Sequence, residues 1–275
     1  MASPLRSFSI RRMRCGSTER VADVVAAEEP LDIRIGYRFK DVPATRSLAL
    51  AMRTPGNDRE LAAGLLLSEG IIATREDVAA VRELGTEDGN EILVELSPDV
   101  DFEDWQMRRN TLLSSSCGLC GKLSRETIAQ ARPLSLSDFT FSEQLLYSLP
   151  ALIESQQPGF LKTGGLHAAA LIDTNGSVQK LYEDIGRHNA MDKLLGSCLL
   201  ENHLPVANRI LFLSSRSSFE LVHKAAMAGG CFLATVGGPS SLAIETARRL
   251  GMTLAGFVRE DRCNIYSGEW RIHSK

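Results

Sequence analysis

Apolar positions in the first half of the chain recur with a period of two over short runs, which predicts strands rather than helices. Leu31-Asp32-Ile33-Arg34-Ile35 alternates cleanly, Ser47–Met52 runs mostly apolar, and Glu91–Leu96 forms a third strand candidate. Between them the period lengthens. Pro55-Gly56 breaks the strand, Asn57 and Glu60 have the spacing of a capping pair, Leu61–Leu67 is continuously apolar or small, and Gly70 closes a predicted helix. A polar stretch follows, and then Ser135–Ser142 leads into a second predicted helix over 143–155. Gln156-Gln157-Pro158-Gly159 marks the expected boundary between two halves.

The second half reads as α/β. Ala168–Ile172 and Val178–Tyr182 flank Asp173-Thr174-Asn175-Gly176, and Asn-Gly between two apolar runs is a strong hairpin signal. Strands near Ile210–Leu213, Phe232–Val236 and Thr253–Phe257 alternate with helices near 189–200, 219–228 and 241–250. That alternation predicts a mostly parallel sheet covered by helices. Three units are expected: a flexible tail over 1–15, an α+β domain over 16–155 and an α/β domain over 156–275.

With 44% apolar and 24% charged residues, the 275-residue chain is ordinary for a globular protein with a sizeable core. A net charge of −3 supplies no global field for nucleic acid or anionic membrane, so phosphate binding must come from local sites. No apolar run reaches the roughly 20 residues of a bilayer span. Arg6, Arg11, Arg12 and Arg14 precede no apolar stretch, so a secretory or twin-arginine signal is not expected. Six scattered cysteines fit a reducing, cytoplasmic compartment better than a disulfide framework.

The sharpest chemical signal is Ser114-Ser115-Ser116-Cys117-Gly118-Leu119-Cys120-Gly121-Lys122. Two thiols three positions apart, in a polar stretch over about 110–125 with nothing to bury them, favour thiolate character in one of the pair. Half a zinc site, a dithiol redox centre and a persulfide carrier all fit that arrangement. Zinc needs about three or four protein ligands, and no second close pair accompanies this one. Cys15, Cys198, Cys231 and Cys263 stand singly, and Cys198 sits in an apolar helical run where it reads as a small buried hydrophobe. A redox motif is expected to open a helix inside a βαβ unit, whereas here a serine run leads into it.

In open α/β sheets ligands gather beyond the carboxyl ends of the strands. Unusual residues concentrate there: Thr163-Gly164-Gly165 and His167 before one strand, Glu183, Asp184 and His188 after the hairpin, and Ser214-Ser215-Arg216-Ser217 before a helix. A hydroxyl-rich turn with one guanidinium at a helix start suits a phosphate, although a heavily capped helix start explains the serines as well. Gly237-Gly238-Pro239-Ser240 repeats the design one unit later, and Phe257 and Tyr266 can lie against a heterocycle.

Met52–Asp58 with Glu69-Gly70-Ile71-Ile72, Ser116–Gly121, Thr163–His167, Glu183–Lys193 and Asn264–Ser267 together resemble the FdhD/NarQ family of formate dehydrogenase accessory sulfurtransferases. The resemblance implies a cytidine-deaminase-like α/β domain in a homodimer that takes sulfur from a cysteine desulfurase. It implies delivery of that sulfur to a molybdenum or tungsten bis(guanine dinucleotide) cofactor for formate dehydrogenase, with GDP as a soluble analogue. On this reading Cys117 carries the persulfide and Cys120 is its partner. The dinucleotide segment maps onto Phe257, Val258, Arg259, Glu260, Asp261 and Arg262. Two other functions stand beside it, a non-catalytic cofactor chaperone and a zinc nucleotide deaminase. A deaminase needs His-x-Glu and Pro-Cys-x-x-Cys. His167 is followed by Ala168-Ala169, and the cysteine pair lies upstream without a proline, so no zinc is expected.

Overall fold

The computed structural model of the chain describes residues 3–40, 42–85, 90–102 and 139–273. It opens on a ribbon rather than a tail. β1 (Leu5–Arg14) and β2 (Ser17–Ala26) pair antiparallel from Leu5–Ala26 to Arg14–Ser17, turning at Cys15-Gly16, where Gly16 takes φ +78°. Two of the ribbon's arginines meet carboxylates: Arg12 bonds Asp23 at 3.2 Å and Arg6 bonds Glu29.

β3 (Glu29–Phe39), β4 (Val42–Arg53), β5 (Val78–Leu84) and β6 (Glu91–Leu96) form a four-stranded sheet in the order β4-β3-β6-β5. The alternation predicted for this region is realised: Leu31, Ile33, Ile35, Ile92 and Val94 point inward and are buried. α1 (Asp58–Ser68) lies across that face. Its entry differs from the expected capping pair. Asn57 is left-handed at φ 58° and makes no side-chain cap, so the start of the helix is held by Arg53 and Asp58 instead. Gly70, at φ +71°, ends it as expected.

The second half follows the predicted order. After β7 (Phe141–Ser142), α2 (Glu143–Glu154) and α3 (Pro158–Thr163) come β8 (His167–Ile172) and β9 (Val178–Asp184), an antiparallel hairpin. α4 (Arg187–Leu200), β10 (Ile210–Leu213), α5 (Phe219–Met227), β11 (Phe232–Thr235), α6 (Ser241–Arg249) and β12 (Thr253–Gly256) complete the alternation, and β13 (Asn264–Ser267) and β14 (Ile272–His273) close the chain. The six strands run β13-β12-β11-β10-β8-β9. Only β10–β11 and β11–β12 are parallel; β8–β9, β8–β10 and β12–β13 are antiparallel. The sheet is therefore mixed rather than mostly parallel, because the hairpin inserts β8 beside β10 and the chain after β12 folds back as β13.

Successive residues of these strands face opposite ways, and both faces are buried. Leu171, Leu211, Leu213, Leu233 and Leu254 join a core that contains α1 and the four-stranded sheet, while Ala170, Phe212, Phe232 and Ala234 face a second core with Leu146, Leu149 and Ile153 of α2. β7 pairs with β14, and Phe141 meets Phe232 edge-on at 5.4 Å. α2 and β7 thus pack with the sheet of the second half, whereas the sequence placed residues 141–155 with the first. Their amphipathic pattern shows that a face is buried without showing which sheet covers it.

α1 and α4 cross where neither has a side chain. A Cβ on Gly64 would run into the backbone of Asp192, and one on Gly196 into the carbonyl of Glu60. Gly64→Ala and Gly196→Ala are each expected to lose about 2–4 kcal/mol, the overpacking range extended because backbone is the obstacle. Gly85→Ala, where a Cβ meets nothing within 4 Å, is the control and should be near neutral in urea unfolding.

Candidate functional site: a strand-end ledge on a buried ion-pair base

Because β8 is antiparallel to β10, its start lies beside the end of β10, with Ala169 opposite Leu213, and the turns after β9, β10, β11 and β12 all gather at one end of the sheet. Backbone bonds lace them into a ledge. Gly237 N donates to Ser215 O at 2.9 Å, Ser240 N to Ser217 O at 3.0 Å and Phe257 N to Gly237 O at 3.1 Å. The glycines are required by close approach: a Cβ on Gly237 would strike Arg216, and one on Gly238 would strike the Phe257 ring. Phe257, left-handed at φ 51° and 44% exposed, lies over Gly238 with part of its ring open to solvent.

The sequence-predicted residues divide into those that hold the ledge and those it offers. Ser214 Oγ accepts from Ala168 N at 2.8 Å, and Ser215 Oγ donates to Arg216 O at 3.0 Å. Glu183 caps α3, accepting from Gly159 N and Phe160 N at 2.9 and 2.7 Å. Thr163 Oγ1 donates to Gly159 O and accepts from Gly165 N, with Gly164 left-handed at φ 64° at the end of that helix. The Val258 side chain is fully buried, and Arg259 Nη1 is committed to the carbonyls of Val236 and Val258 at 2.7 and 2.8 Å. That leaves Arg216, Phe257, Glu260, Asp261 and Arg262 exposed on the ledge, with His167 and His188 half-buried beside it. Cys117 and Cys120 lie outside the described residues.

Asp184 does not face a ligand at all. It has no exposed surface, and its carboxylate pairs with Lys193 Nζ at 2.7 Å while accepting from Thr54 N, Gly186 N and Asn189 Nδ2 at 3.1, 2.8 and 3.0 Å. Lys193, 1% exposed, also donates to Thr54 O at 2.8 Å; Ile185 N donates to Thr54 Oγ1 at 3.1 Å, and Asn189 Nδ2 to Met52 O at 2.7 Å. Arg53 secures the other side of the same turn through two 2.9 Å bonds to Asp58. One turn further along α4, Asp192 takes Lys224 Nζ at 2.7 Å on both oxygens and Ser68 Oγ at 2.6 Å. The residues Thr54, Lys193 and Asn189 were within motifs recognised in the sequence, but that Thr54 meets Asp184 across 130 positions and Lys193 across 139 has no local signal.

Burial, with neighbouring charges second, sets the histidines. Burial, helped by Lys224 and Arg187, holds His188 down to about 4, and burial with Lys224 holds His223 to about 4. His167 is lowered by burial first and Arg187 second. At neutral pH His188 and His223 are therefore neutral donors and acceptors rather than cations. Burial pushes the Cys198 thiol up to about 11 and raises Cys263, with Glu143 adding to the latter. Among the described residues, no three His, Cys, Asp or Glu side chains group as a metal site, and no helix is long and apolar enough to cross a membrane.

A mixed α/β protein with a glycine-laced polar ledge at its strand ends, seated on buried ion pairs, is the class that these features define. The chain belongs to the FdhD/NarQ family, whose model matches residues 26–273. A relative from Streptomyces avermitilis, called sulfur carrier protein FdhD, is 41% identical over 95% of this chain and 93% of its own. Relatives of the same name from Nocardia farcinica and Sulfurisphaera tokodaii are 42% and 39% identical over 93% and 98% of this chain, and over 90% and 98% of theirs. The fold also matches a crystal structure from Desulfotalea psychrophila assigned as a formate dehydrogenase accessory protein, with TM-score 0.77 and 24% identity over 98% of this chain and 100% of that one.

Lys193→Met should cost about 3–5 kcal/mol in urea unfolding, because Asp184 is then a buried carboxylate without its cation. A separate pH series tests the histidines. Between pH 6.5 and about 4 the unfolded chain binds protons that folded His188 and His223 refuse, so stability falls as pH drops through that window. His223→Phe should flatten the fall.

Proposed function

We propose that this protein accepts sulfur as a persulfide on Cys117 from a cysteine desulfurase and delivers it to a molybdenum or tungsten bis(guanine dinucleotide) cofactor destined for formate dehydrogenase. Thiolate Cys117 attacks the outer sulfur of the donor's persulfide; the new sulfur–sulfur bond forms as the old one breaks, and the donor cysteine leaves as a thiolate. No net oxidation occurs, which suits transfer between proteins in a reducing cytoplasm. Cys120, three residues on, favours thiolate character at Cys117.

The observation that carries the cofactor half of the reading is the ledge. Arg216 stands exposed at the entrance to α5, where a diphosphate meets both a guanidinium and helix amides, and the open Phe257 ring offers a surface for a purine. The order β9-β8-β10-β11-β12 supports a cytidine-deaminase-like fold for the second half. The relatives' names support the sulfur half. The protein works as a homodimer in this reading, without zinc.

Treatment with a cysteine desulfurase and cysteine should add 32 Da-type sulfur adducts at Cys117, read by tandem mass spectrometry, and Cys117→Ala should abolish delivery. Adducts mainly on Cys15 or Cys263 sink the assignment; no adduct with intact GDP binding leaves a cofactor-binding chaperone. Arg216→Ala should weaken GDP by about 1.5–3 kcal/mol in a calorimetric titration, the range for a charged hydrogen bond. Elemental analysis finding one zinc per chain, lost in Cys117→Ala, would favour the metal reading.

A further inference from the structure

The entrance of α5 already holds an anion of its own. Glu220, in the first turn, places Oε2 3.2 Å from Ser218 Oγ and 3.6 Å from His188 Nε2 at the start of α4. Neither helix has a side-chain cap: Gly186 and Ser218 occupy the cap positions, and neither makes the capping bond. A carboxylate against two uncapped helix starts is favourably placed. Beside it, Ser217 is 1% exposed and its Oγ has no partner among the described residues, so the turn retains a buried hydroxyl with an unmet need for an acceptor. A carboxylate on a fixed tether satisfies Ser218 and leaves Ser217 without a partner among the described residues.

We infer that Glu220 is an internal occupant of the ledge's anion subsite, and that a diphosphate group displaces it with uptake of a proton on His188. The inference rests on the nucleotide-binding reading above and adds its regulation. The charge balance around His188 explains the coupling. Asp184 is matched by Lys193, Asp58 by Arg53 and Lys224 by Asp192. Lys224 and Arg187 still oppose protonation of His188, and Glu220, 3.6 Å away, favours it. With Glu220 in place, burial first and these two cations second keep His188 neutral. A diphosphate brings two or more negative charges to the same place, which favours the imidazolium and gives the ligand another donor. Binding then tightens as pH falls, although the free fold loses stability in the same direction.

The test is calorimetry on the full chain with GDP and with inorganic pyrophosphate, each in two buffers of different ionisation enthalpy across pH 6–8. Wild type should take up protons and lose about tenfold in affinity from pH 6 to pH 8 after the ligand's own titration is subtracted, since linkage limits one site to a decade per pH unit. His188→Asn should bind with little pH dependence and no proton uptake beyond the ligand's own. Glu220→Gln should bind both probes at least about fivefold more tightly, having no charge to displace. Binding without proton uptake, or Glu220→Gln binding no better than wild type, overturns the inference while the nucleotide reading stands. Failure of the folded wild type to bind either probe overturns both.

Discussion

Asp184 is the point on which the two halves of this protein agree. A fully buried carboxylate is tolerable only when every lone pair is used and a cation is close, and here Lys193, Thr54, Gly186 and Asn189 meet those demands from two distant segments. Thr54 comes from the first half, so the carboxylate cannot be satisfied unless the turn Arg53–Asp58 is docked. The turn in turn carries α1 into its crossing with α4, and α4 begins at the ledge. An interaction that contributes little net stability therefore has a large effect on geometry: it fixes where the ledge sits relative to the first sheet.

The ledge shows the same economy of roles. Polar residues that look alike along the chain are sorted by burial into two populations, one spent on holding backbone and one left exposed. Glu183 and Glu260 are both carboxylates beside strand ends, yet the former closes a helix start and the latter points to solvent. Arg259 and Arg216 differ in the same way, the first tied to two carbonyls and the second exposed. Neutral histidines complete the picture, because burial first, and Lys224 second, disfavours further positive charge at His188 and His223.

How much of this was legible depended on range. The hairpin at Asn175-Gly176, the three strand–helix repeats and the gathering of Ser214–Ser217, Gly237-Gly238 and Phe257 follow from periodicity and from the rule that loops collect at strand ends. Several features escaped, three of them instructive. β1 was hidden by its arginines, whose charge outweighs an alternation that the ribbon still uses. β13 was hidden by being short and polar at an edge. The affiliation of α2 was hidden because amphipathicity names a buried face without naming its cover. At the site, Met52–Asp58 and Glu183–Lys193 stood out separately, but nothing local says that they are partners. Nor does a glutamate in a first helical turn announce that it faces a histidine on another helix.

The Gly64–Gly196 crossing bears on how such a chain can be divided. Two helices without side chains at their contact share one backbone surface, and the core beneath them draws residues from both sheets. An excised second half would present bare helix backbone, a leucine-lined sheet face and a lysine–aspartate pair stripped of its threonine. The two sheets and the ledge consequently cannot be traded between relatives as interchangeable modules. Inheritance has to pass them on as a single cooperative body, with changes on one side of the crossing screened by the fit of the other.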